Sequence, residues 1–167
     1  LNQYSNGNKS VCNAFATFNK KTLNILYNEV NTDNKGEISG KLKIIDTYDE
    51  INKSVFEIVL AGYSLNNGDG HEVDSVESRY NFHTHPIHSY KLINTKLGWP
   101  SVDDYVVFIM AYLVDNIPTY FHWVCGLEGI YVLTIPKDTI DLIKLLKKDN
   151  NIEDKIEKYL YEEIAVK

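Results

Sequence analysis

Arg79-Tyr80-Asn81-Phe82-His83-Thr84-His85-Pro86 is the stretch on which the reading of this chain turns. Its residues alternate with the period of two that marks a β-strand, and Pro86, which has no N–H to give a ladder, ends it. Residues i and i+2 share a face, so His83 and His85 stand side by side while Phe82 and Thr84 point the other way. Two neighbouring imidazoles are a ready pair of metal ligands, and a chain that turns away at Pro86 leaves their site open.

The best candidate for a third ligand is Asp104. Pro100 and Ser101 announce a helix start and put Asp104 in the first turn, where the helix dipole favours an ionised carboxylate. Asp103 lies next to it, but the Ser101-x-x-Asp104 spacing favours Asp104. Taken alone, that spacing reads as a variant capping box. Combined with the two histidines it completes two imidazoles, one carboxylate and room for water, the open arrangement of a hydrolytic zinc, one ion per chain.

Outward from this centre the chain reads as alternating helices and strands. Residues 1–10 are rich in Asn, Ser and Gly and form a loose lead-in, with a short strand expected over 11–18. Leu23, Leu26, Tyr27 and Val30 recur at helical spacing and predict a first helix with one apolar face. After the turn formers of 31–36, residues 42–45 and 55–61 have the β-branched and apolar content of paired strands, and 64–70 is a loop. A helix is expected from Ser101 towards Asn116 and Pro118, then a hairpin of 120–125 and 129–135 joined through Leu127-Glu128-Gly129. Residues 137–167 are helical, with Ile152, Ile156, Tyr159, Leu160 and Ile164 on one side behind Asn151.

Bulk properties fix the class. At 167 residues the chain has the size of a single domain spanning 1–167, and 44% hydrophobic residues with 12 Tyr, 6 Phe and 2 Trp supply a core. A net charge of −6 argues against nucleic acid as partner, because phosphate-binding surfaces gather Lys and Arg. The apolar run at 105–114 is shorter than the roughly 20 residues of a bilayer span, so no membrane is expected. Cys12 and Cys125 lie far apart without a Cys-x-x-Cys spacing, which suits a reducing, cytoplasmic compartment and small buried thiols.

Together these residues resemble the JAMM (MPN+) zinc metalloprotease family, whose signature is an upstream Glu, then His-x-His-Pro, then Ser-x-x-Asp. The upstream element is similar to Glu37-Ile38-Ser39-Gly40-Lys41-Leu42, a Glu-x-x-Gly-x-Leu run directly after the first helix. The resemblance covers residues 20–135. It implies an α/β (α+β) fold, a central mixed sheet flanked by helices that is MPN/JAMM-like and cytidine-deaminase-like. It implies Glu37 as general base and proton shuttle, His83, His85 and Asp104 as zinc ligands, and Ser101 as donor to the oxyanion. The implied activity is hydrolysis of an amide or isopeptide bond, with ubiquitin or a ubiquitin-like conjugate as substrate and a protein complex as a further partner. The family's inactive members supply the alternative, a catalytically silent scaffold.

One departure stands out. The stretch of 86–100 is longer than the family's short connection and is expected to be a lid or substrate loop, in which Trp99 and Tyr90 are substrate contacts or packing. Its Gly98-Trp99-Pro100 end is similar to JAMM-like proteins of large DNA viruses, which would place the chain in the host cytoplasm or the virion. Other metal readings fail on residues. Cupins need a glutamate soon after His-x-His, where Ile87, His88, Ser89 and Tyr90 stand; zinc deaminases need Cys-x-x-Cys. The 31–39 run has Leu42 where a calcium loop needs its bidentate glutamate. His71, His88 and His122 read as loop or strand residues rather than ligands.

Overall fold

A computed structural model describes residues 15–33, 36–47, 55–61, 66–68, 73–113, 117–136, 139–140 and 151–163. The lead-in, Cys12 and His71 lie outside them, as does Ile164. The described strands are β1 (Phe15–Phe18), β2 (Ile38–Thr47), β3 (Val55–Leu60), β4 (Asn66–Asn67), β5 (Tyr80–Thr84), β6 (Phe121–Gly126) and β7 (Gly129–Thr134). Between and after them run helices α1 (Lys20–Asn31), α2 (Ile87–Leu92), α3 (Val102–Leu113) and α4 (Ile152–Glu163).

All seven strands belong to one mixed sheet of order β1-β3-β2-β5-β6-β7, with β4 on β2. The β2/β3 and β6/β7 pairs are antiparallel, as hairpin chemistry predicts. The β5/β6 pair is parallel, so residues 85–120 must cross over one face of the sheet to bring the chain back alongside itself. That crossover carries α2 and α3.

Alternation assigns the two faces. Ile38 and Leu42 of β2, Phe82 of β5, and Trp123 and Cys125 of β6 share one face and meet Leu26 and Val30 of α1 in the main core. Asn19 starts α1 by accepting from the Lys21 N–H at 2.9 Å and ties it to β3 through Glu57 at 3.1 Å. The buried stripe of this helix is Thr22, Leu26 and Val30, whereas Leu23 and Tyr27 are exposed. The expected face is thus rotated by one position, because the Thr22 hydroxyl reaches the Leu60 N–H at 3.1 Å and turns inward with the apolar residues. On the other face, Phe108 of α3 packs with Val124 and Leu133, and α4 packs against α3 through Leu113, Ile152 and their neighbours.

Two further expectations change. Asn66–Asn67, within the expected loop 64–70, pairs with Ile38 and Ser39, extending the β3 side of β2 where that long strand would otherwise leave an open edge. The long connection after Pro86 is not all loop. It starts as α2, with Pro86 at the cap position that its missing N–H permits. Among the described residues, no helix is long and apolar enough to cross a membrane.

Candidate metal centre

Asn81, His83, His122 and Val124 occupy the face of β5 and β6 opposite the main core, and the crossover folds over them. His83 pairs with Val124 one position before the end of the β5/β6 ladder, and His85 stays attached to β6 through its N–H to the Cys125 carbonyl at 2.8 Å. Ser101 and Asp104 form the expected capping box, Asp104 N–H to Ser101 Oγ at 3.1 Å and Ser101 N–H to Asp104 Oδ2 at 2.5 Å. The same carboxylate faces the histidines, with Oδ1 3.1 Å from His83 Nε2 and Oδ2 3.6 Å from His85 Nε2. Capping and metal-site geometry therefore coexist in one side chain. Asp103 turns away to accept from the Tyr161 hydroxyl of α4 at 2.8 Å.

His83 Nε2 and His85 Nε2 are 3.0 Å apart. Carbonyl oxygens only accept, and this assigns the protons around them. His85 Nδ1–H donates to the Gly98 carbonyl at 3.0 Å, so a neutral ring has a bare Nε2. Asn81 Nδ2 donates to the Val76 carbonyl at 2.7 Å, so its Oδ1 accepts from His122 Nδ1–H at 2.7 Å. His122 Nε2 in turn accepts from His83 Nδ1–H at 2.7 Å, which leaves His83 Nε2 bare as well. Two lone pairs and the Asp104 carboxylate thus face one another, an arrangement that a cation would stabilise.

The spacing fits such an ion. Tetrahedral zinc with bonds of about 2.0–2.1 Å holds its ligand atoms roughly 3.3 Å apart. The two imidazole nitrogens are 3.0 Å apart, and each lies near that value from a different oxygen of Asp104, His83 at 3.1 Å from Oδ1 and His85 at 3.6 Å from Oδ2. Among the described residues, His83, His85 and Asp104 are the group placed to hold a metal. Burial pushes His122 down to about 3, helped by the neighbouring His83, and burial and His83 also lower His85. Burial opposes ionisation of Asp104, but His83, His85 and the Ser101 N–H outweigh it and hold the carboxyl well below the usual carboxylate range. A neutral His85 and an ionised Asp104 are in the protonation states that ligation requires.

Glu37 shares the cavity. Ser39 of β2 lies directly across from His83, so their side chains share a face, and Glu37 two residues earlier projects to the same side. Glu37 is buried, and its Oε1 accepts from the Ser89 hydroxyl of α2 at 3.4 Å. The cavity, about 650 Å³, is lined by Glu37, the metal group, Ser101 and Trp99 among others. Cys125 is buried in the core, which raises its thiol to about 12 and keeps it inert.

His122, expected in a loop or strand, is a strand residue, yet it also backs His83, which its sequence setting does not disclose. Such a partner fixes the tautomer and orientation of a metal-binding histidine. Its signal was a histidine alternating with apolar residues in Phe121-His122-Trp123-Val124, but the pairing with Asn81 depends on the parallel register of strands 41 residues apart.

Comparison with known proteins gives one informative likeness. An uncharacterized protein, 3R, of Frog virus 3 (isolate Goorha) is 32% identical over 128 residues, which is 75% of this chain and 27% of the viral protein. The chain thus spans about a quarter of that relative's length. No family model and no solved structure matches.

Proposed function

We propose that this chain is a zinc-dependent peptidase or isopeptidase of the JAMM type, with an MPN-like fold, that removes ubiquitin or a ubiquitin-like tag from a conjugate. The observation that carries this reading is the convergence of bare His83 and His85 nitrogens with the Asp104 carboxylate beside a buried Glu37. The order of parts supports the family reading, with Glu37 at the mouth of β2, His-x-His at the end of β5 and Asp104 in the first turn of α3. The likeness to a Frog virus 3 protein supports a viral source, and with it the host cytoplasm or the virion as the place of action.

His83, His85 and Asp104 would hold the zinc, which would supply Lewis acidity for activating water and polarising the scissile carbonyl. Glu37 takes the proton of the attacking water and returns it to the departing amine, the lysine Nζ in an isopeptide. The Ser89 hydroxyl on Oε1 orients that carboxylate. Ser101 Oγ uses a lone pair to accept the Asp104 N–H, which directs its own O–H towards the developing oxyanion.

The test is Glu37→Gln assayed on linkage-defined ubiquitin chains with and without chelator. Hydrolysis should fall by about 10²–10⁴-fold with zinc still stoichiometric. Equal turnover by this variant would remove Glu37 from the mechanism, and a protein that takes up no zinc would leave the scaffold reading in its place.

A further inference from the structure

We propose that Glu128, in the turn between β6 and β7, is a positioning residue that fixes the ring of His85 through Tyr90 and Gly98. This rests on the metal reading above and extends it to the part of the chain that departs most from the family pattern.

Glu128 takes hydrogen bonds from three directions. Its Oε2 accepts from the Tyr90 hydroxyl of α2 at 2.5 Å, and its Oε1 accepts from the Gly98 N–H at 2.7 Å and the Tyr131 hydroxyl at 2.8 Å. Tyr90 closes the loop by accepting from the Leu127 N–H at 2.9 Å. A carboxylate is suited to this because it only accepts, and bonds to an ionised acceptor are stronger than neutral ones. Gly98 is therefore held at its nitrogen by Glu128 and presents its carbonyl oxygen to His85 Nδ1.

Packing makes the arrangement stiff. A Cβ on Gly98 would lie 2.1 Å from the Tyr90 hydroxyl oxygen and 2.5 Å from its ring carbon Cζ. A Cβ on Gly126 would lie 2.5 Å from the same oxygen. The phenol of Tyr90, itself buried, is gripped between two backbones that only glycine lets approach. Residues 86–100, expected from the sequence to be a lid or substrate loop, form a wall clamped at Tyr90 and Gly98.

The chemical consequence lies in the tautomer of His85. A histidine in water favours the form with its proton on Nε2, which would turn an N–H rather than a lone pair towards His83 and Asp104. The Gly98 carbonyl reverses that preference, and Glu128 keeps the carbonyl in place.

The experiment uses the full chain, freed of metal with chelator and labelled with ¹⁵N-histidine, and reads the tautomers from long-range ¹H–¹⁵N correlations at mildly alkaline pH. Wild type should hold His85 in the Nδ1–H form, and Glu128→Ala should move it towards Nε2–H while His83, backed by His122, stays unchanged. Gly98→Ala should give the same change from the opposite side, and carries the test if Glu128→Ala does not fold. Glu128→Gln, which keeps one oxygen for the Gly98 N–H, should restore the wild-type form. Cobalt(II) added to the same samples should bind about 10–100-fold more weakly to Glu128→Ala, with an altered visible spectrum. A folded Glu128→Ala with His85 still in the Nδ1–H form and unchanged cobalt affinity overturns the proposal. If wild type binds no cobalt while the tautomer still responds to Glu128→Ala, the clamp stands and the zinc reading falls.

Discussion

The two faces of β5 and β6 are built from alternate residues of the same few positions, yet they obey different rules. On the α1 face, Phe82 and Trp123 gain stability from area, and any well-shaped apolar neighbour would serve. On the α3 face, Asn81, His83 and His122 are buried polar groups whose donors and acceptors match one by one except at His83 Nε2, which faces His85 and Asp104. The first face tolerates repacking; the second tolerates no missing partner, because an orphaned buried polar group keeps its full desolvation cost.

The sharpest way to break this comparison is to truncate one residue on each side. Phe82→Ala should lose about 3–5 kcal/mol in denaturant unfolding, since it empties a fully packed site. His83→Ala should cost at most about 1–3 kcal/mol and yet abolish stoichiometric zinc in the purified protein. A His83→Ala variant that takes up as much zinc as wild type would remove this residue from the proposed ligand set. A smaller effect is expected for His122→Phe, which preserves ring volume beside Phe108 but takes away the acceptor for His83 Nδ1–H. Zinc affinity by competition titration should fall about 10–100-fold without loss of fold; an unchanged affinity would make His122 packing alone.

The smallest effect concerns acid. His122, held at about 3, and His85, also lowered, stay neutral in the folded metal-free protein, whereas unfolded histidines take up protons near 6.5. The unfolded state then binds more protons, so stability declines as pH drops below 6.5, by about 1.4 kcal/mol per pH unit for each unmatched histidine, and is level above it. Unfolding free energies of chelated protein across that window should show the slope, and His122→Phe should remove one histidine's share. Rising stability on acidification would contradict the neutral network.

Local pattern accounts for what was legible in advance. The alternation around His83 and His85, the capping signal at Ser101 and the β6/β7 hairpin are each written within a few residues, and the structure places them as read. Asp104 was legible for the same reason, whereas Glu37 depended on the family resemblance. What stayed hidden is non-local. The backing of His83 by His122 needs the β5/β6 register, and the Tyr90, Gly98 and Glu128 contacts join segments that no periodicity connects. Helix α2 was missed because Pro86 reads equally well as a breaker or as a permitted helix start, and only the packing of Tyr90 distinguishes them.

The parallel pairing of β5 with β6 has a consequence for how this site could diversify. Floor and roof are under separate control: the floor is set by strand register, while the roof is whatever length of chain spans from Thr84 to Phe121. Residues added to or taken from that span would reshape the entrance without shifting His83 or His122. What enters the cavity is therefore open to change by insertion, provided the span still brings His85 and Asp104 over the His83 of the sheet.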